Sequence, residues 1–156
     1  MPTISRVRKT SSNEDATIKR FREIFPAIDP PAGGMPTVMG RVSSITTDKL
    51  GDLINRYNAW REFTEDLHLE AVARWGIAKD AYDFEVSKGL AVAGKSADSV
   101  TLAKAKAKMN PEVLALGEAY GQATMFKDMV AKKLESLNNV LATLSRELTR
   151  RGFTNI

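Results

Sequence analysis

The residues able to do chemistry are few. The chain holds a single histidine, His68, and no cysteine. Disulfides, thiolate zinc sites and cysteine nucleophiles are therefore excluded, and any Ser-His-Asp triad within one chain would have to use His68. Glu65-x-x-His68 matches one half of a carboxylate di-metal site, which needs a second such pair and two further inward-facing carboxylates. With one histidine per chain, only a symmetric oligomer could supply that second pair. His68 sits one residue off the apolar stripe, between Leu67 and Leu69, and reads as a histidine on a charged face. Glu62, Asp66 and Glu70 form an acidic ridge at four-residue spacing, with Arg61 and Arg74 near enough to offset it. The text of a phosphate-binding loop is present in Gly89-Leu-Ala-Val-Ala-Gly94-Lys95-Ser96. Such a loop works when a strand delivers it and a helix starts at its lysine. Here it would follow a long helix, so a small-residue turn is the better reading. The residues imply no enzyme, no catalytic group, no metal and no cofactor.

What remains is a basic end. Lys132, Lys133, Arg146, Arg150 and Arg151 cluster toward the last turns of the final helical pattern, with Phe153 just beyond. Cations there favour the helix dipole whatever else they do. They are also the residues that meet phosphates, with Phe153 and Tyr120 as stacking surfaces for unpaired bases. The net charge of +4 is unevenly spread. Residues 1–40 carry six Lys/Arg against four Asp/Glu, residues 41–100 eight against ten, and residues 101–156 nine against five. The pI near 9.4 thus comes from the two ends, and points modestly to a polyanionic partner.

These side chains must be positioned by helices. Residues 1–12 read as a flexible basic arm with Arg6, Arg8 and Lys9. Ser12 followed by Asp15 resembles a capping box opening a short helix over 13–25, with Ile18, Phe21, Ile24 and Phe25 as its apolar face. Residues 26–42, rich in proline and glycine, read as a linker. The body, 43–156, opens on a cluster of N-cap residues. From Leu50, Leu53, Ile54 and Tyr57 through Trp60, Phe63, Leu67, Ala71, Trp75, Ala78, Tyr82 and Val86, apolar residues recur at three- and four-residue steps. That spacing predicts an amphipathic helix from Asp48 to Lys88, with Gly89 and Gly94 bracketing its end. Lys104-Ala-Lys106-Ala-Lys108 forms a short helix or an ordered link. Asn110-Pro111-Glu112 supplies a cap, an N1 proline and an acid on the dipole.

The final helix carries the most regular pattern: Val113, Leu116, Tyr120, Ala123, Lys127, Val130, Leu134, Leu137, Leu141, Leu144 and Leu148. Only Lys127 breaks this seam. Gly117 and Gly121 would allow close backbone approach. The expected fold is all-α, an antiparallel, coiled-coil-like pair of long helices with a short N-terminal helix on a Pro/Gly linker. Two helices of roughly 40 residues would each be about 60 Å long. So thin a hairpin has little core, and the seam is expected to make a homo-oligomer.

No apolar run reaches the length of a membrane span, and the first residues lack the apolar core of a signal peptide. The expectation is a protein without membrane contact, in the cytoplasm of its host cell.

The segment from Asn110 to Phe153 resembles the C-terminal half of phage recombination mediators of the UvsY family. The residues that carry this are the capped start leading into Glu112-Val113-Leu114, then Lys133-Leu134-Glu135-Ser136-Leu137 leading to Leu144-Ser145-Arg146, and finally Arg151-Gly152-Phe153. The aromatic-rich stretch from Tyr57 to Trp75 is similar in character. The resemblance implies a small helical protein that forms ring-like oligomers, binds single-stranded DNA and helps load a recombinase onto strands covered by single-strand-binding protein. Two other DNA-handling or assembly classes share the short, helical, basic-armed pattern: a small terminase subunit, and a virion head or neck protein, which would place the chain in the particle.

Overall fold

The computed structural model describes residues 16–93 and 99–154, without the side chains of 153 and 154. Among these residues every regular element is helical. Helix α1 covers 16–24. A 3-10 turn at Val42–Ser44 precedes α2 (Thr47–Ala93), α3 (Val100–Lys108) and α4 (Pro111–Thr154). The all-α expectation holds, as several long helices that pack together. The basic arm, 1–12, lies outside the described residues.

Helix starts follow local chemistry. Asn110 caps α4 with its side-chain oxygen, which accepts from the Glu112 N–H at 2.9 Å. Ser99 does the same for α3, accepting from Leu102. The end of α2 differs from expectation, because the helix runs through Gly89 to Ala93. A Cβ at Gly89 would lie 3.2 Å from the Cβ of Ala107. That glycine is the contact point for α3, and the packing gain offsets its poor helix propensity. The first five residues of the phosphate-loop match are therefore helical, which a phosphate cradle cannot be; Gly94, Lys95 and Ser96 lie outside the described residues.

The chain forms two compact units. The first joins Met1–Pro26 to Glu70–Asp128. Its buried apolar residues are small or few: Ile18, Ala71, Ala103, Ala107 and Val113. Aromatic rings fill the rest. Tyr82 and Tyr120 stack at 5.8 Å, and Trp75 lies 6.3 Å from Tyr120 while its Nε1 donates to Thr124. Gly117 leaves room for the Tyr82 ring, whereas Gly121 faces open space. Lys127 belongs in the seam after all, its ammonium resting 4.5 Å from the centre of the Trp75 ring. Ile18 and Arg22 attach α1, the latter by an ion pair with Glu70. Ile24 and Phe25, expected on the apolar face, are exposed.

The second unit joins Ala27–Leu69 to Met129–Ile156. Leu50, Tyr57, Leu137, Leu141 and Leu144 form its core. Over them lies the proline- and glycine-rich stretch, which is neither helix nor strand but is tied down. The Tyr57 hydroxyl donates to the Pro36 carbonyl at 2.9 Å, and Trp60 Nε1 donates to that of Gly34 at 3.0 Å. Met35, Val38 and Val42 pack on the leucines. Gly33, Gly34 and Gly40 have φ of +83°, +71° and +78°, conformations other residues adopt only with strain. Thr64, buried in mid-helix, returns its hydroxyl to the Trp60 carbonyl.

Candidate nucleic-acid interface

Of the basic residues singled out in the sequence, Lys132, Lys133 and Arg146 are exposed on α4. Arg150 is exposed too, but holds Glu147 through two hydrogen bonds of 2.9 and 2.8 Å. Arg151 differs from its neighbour. Its guanidinium donates to the carbonyls of Ile45 (2.6 Å), Val42 (3.2 Å) and Ser43 (3.3 Å), and to Glu147. The short turn at Val42–Ser44 closes with the Ile45 N–H on the Val42 carbonyl, and Arg151 adds a donor to that carbonyl and to those of Ser43 and Ile45. It is a clamp on the fold rather than a group held out for a phosphate. The Phe153 side chain lies outside the described residues. Tyr120 is stacked against Tyr82 and is no free platform for a base.

Glu147 sits between Arg150 and Arg151. Hydrogen bonds from Arg150 and then Arg151 hold its carboxyl well below the usual range, at about 2. It stays ionised in any ordinary buffer and neutralises part of the basic end.

Lys132, Arg146 and Arg150 share one helix face, because 14 and 18 residues are close to whole numbers of turns at 3.6 residues each. Ser136, Asn139 and Thr143 fill the same face, so the stripe reads 132, 136, 139, 143, 146, 150 in steps of four and three. The three neutral residues were missed by a reading that followed charge alone. Their spacing was the available signal. Lys133 and Arg151 lie about 100° round the helix from the stripe. Beside it runs an open groove of about 610 Å³ with Val38, Val42, Val140 and Leu144 as apolar walls and Lys132, Ser136, Asn139 and Thr143 along the polar side. Glu135 is the acidic residue of that lining.

The residues expected to join copies of the chain are largely taken up within one chain. Val113, Val130, Leu137, Leu141 and Leu144 are buried, Leu116, Tyr120 and Leu134 half-buried, and Leu148 exposed at the edge. Periodicity identified the packing face, and within one chain that face is largely covered by the chain's own residues.

Glu65 and His68 are both half-buried on α2. Among the described residues no three His, Asp or Glu side chains converge as metal ligands, and no helix is long and apolar enough to cross a membrane. Comparison of the chain with protein-family models, curated proteins and solved structures returns no match.

Proposed function

We propose that this chain is a non-enzymatic, oligomeric DNA-handling protein of the phage type, which binds single-stranded DNA and helps load a recombinase onto strands covered by single-strand-binding protein. The observation that carries the reading is the α4 stripe. Lys132 and Arg146 offer cations about 21 Å apart along the helix, with Arg150 and its partner Glu147 one turn further on, while Ser136 and Asn139 supply neutral donors between them. The apolar groove beside the stripe gives unpaired bases a surface away from water. The resemblance of Asn110–Phe153 to the UvsY-family mediators points the same way.

The platform for this stripe is, in this reading, an antiparallel coiled-coil-like pairing of α2 and α4. Partner order in the first unit supports it: Trp75 meets Thr124, and seven residues later Tyr82 meets Gly117, seven residues earlier.

The test is fluorescence anisotropy with a labelled single-stranded oligonucleotide and its duplex over a range of salt. Tighter, salt-sensitive binding of the single strand is expected for any sequence alike, since phosphate contacts carry no sequence information. Preference for a duplex would turn the reading to a terminase subunit. Absence of binding at low salt would leave an assembly protein.

A further inference from the structure

Helix α3 is turned the wrong way for a helix that serves its own chain. It buries only Ala103 and Ala107, the latter against Gly89. Its larger apolar residues face out: Leu102 and Met109 are 42% and 76% exposed, and with Ala105 they form a stripe at steps of three and four. Lys106 and Lys108 border that stripe on either side, Lys104 lies about 160° round the helix from Leu102, and no acidic residue occurs from 99 to 110.

A matching face lies on α4. Leu114, Glu118, Gly121, Met125 and Asp128 follow one another at steps of four, three, four and three. They lie on the side of the helix away from Val113, Leu116, Tyr120 and Ala123, which pack inward. Leu114 and Met125 are 60% and 61% exposed, and a Cβ built at Gly121 meets nothing within 4 Å. So this face has apolar ends, a notch at Gly121, and acids at Glu118 and at Asp128, which also pairs with Lys127 of its own helix at 3.1 Å.

We infer that the chain associates with a second copy of itself by seating the Leu102–Met109 face of α3 on the Leu114–Met125 face of α4. Both stripes are exposed in the same chain, so neither covers the other at home. Their spacing allows side chains of one helix to enter the gaps of the other, with Gly121 giving space for Leu102 or Met109. Lys106 and Lys108 meet Glu118 and Asp128, which fixes register and discourages two α3 faces from pairing. Each copy carries both halves of the contact, so association requires no third component. This inference rests on exposure and charge in the first unit and is independent of the DNA-binding reading.

Sedimentation equilibrium of the full chain tests it. The parent should exceed the 17.2 kDa monomer mass, whereas K106E/K108E and E118K/D128K should each sediment as monomers. All four sites are exposed, and unchanged circular dichroism would verify the fold. Mixing the two variants in equal amounts should restore the larger mass, because each then meets an opposite charge. Leu114→Ser with Met125→Ser should also yield a monomer, without altering charge. A monomeric parent, charge reversals that keep the parent's mass, or a mixture that stays monomeric would overturn the proposal.

Discussion

In the second unit the fully buried side chains are leucines, Leu50, Leu137 and Leu144, and the residues that pack on them come from a tethered proline-rich stretch as well as from the helices. In the first unit alanines line the closest helix contacts, rings stack between α2 and α4, and Leu102, Met109, Leu114 and Met125 stand in water. Each unit also holds one carboxylate between two arginines. Glu147 joins Arg150 and Arg151 in the second, and Glu70 joins Arg22 and Arg74 in the first. The difference lies in where apolar area is spent. The second unit fixes its fold on large buried leucines and carries a polar stripe outside, while the first packs on alanines and rings and leaves the larger apolar residues of α3 exposed.

The largest effect that tests this contrast is a leucine truncated on each side of it. Leu144→Ala, at a site with no exposure, should cost about 2–5 kcal/mol in urea unfolding. Leu114→Ala, in the first unit, should change monomer stability by less than about 0.5 kcal/mol. Equal losses would erase the distinction.

Next come the neighbouring arginines. Arg151→Met removes a guanidinium that donates to three backbone carbonyls and should lower stability by about 1.5–3 kcal/mol. Arg150→Met should leave the unfolding midpoint unchanged, as exposed ion pairs contribute little. Nothing in the sequence separates these two residues. Both are arginines at the end of a basic helix, and what distinguishes them is the 100° between them and the carbonyls of a turn more than a hundred positions earlier.

The same limit runs through the rest of the molecule. Local signals were legible: Asn110-Pro111-Glu112 starts α4, and the leucine seam names its buried face. Partners were not. Periodicity says which face is covered without saying by whom, and much of the seam is covered from within the chain. Gly89 looked like a helix end because its reason for being glycine, Ala107, lies eighteen residues away. The proline-rich stretch reads as a linker until Tyr57 and Trp60 are seen to hold it. Ser136, Asn139 and Thr143 were within reach, since their spacing alone aligns them with Lys132 and Arg146.

The smallest expected effect is an acid dependence shared by both units. Glu147 and Glu70 each have a carboxyl held below its ordinary range by arginine. Groups lowered on folding stabilise above their ordinary value and lose that contribution as pH falls toward the folded value. Stability should therefore be level near neutrality and decline from about pH 4.5 toward the Glu147 value of about 2. Glu147→Gln should make that decline shallower, as thermal unfolding across this range would show.

The assignment of the α4 stripe to phosphate binding is tested most directly by the salt dependence of single-strand affinity. Each phosphate neutralised on a single strand contributes about −0.7 to the slope of log affinity against log salt. K132A/R146A should bind with a slope shallower by about 1.4 than the parent. Arg151→Met, still folded at low temperature, should keep the parent's slope because its guanidinium faces carbonyls rather than DNA. A double variant with the parent's slope, or an Arg151→Met variant that loses as much, would contradict that assignment.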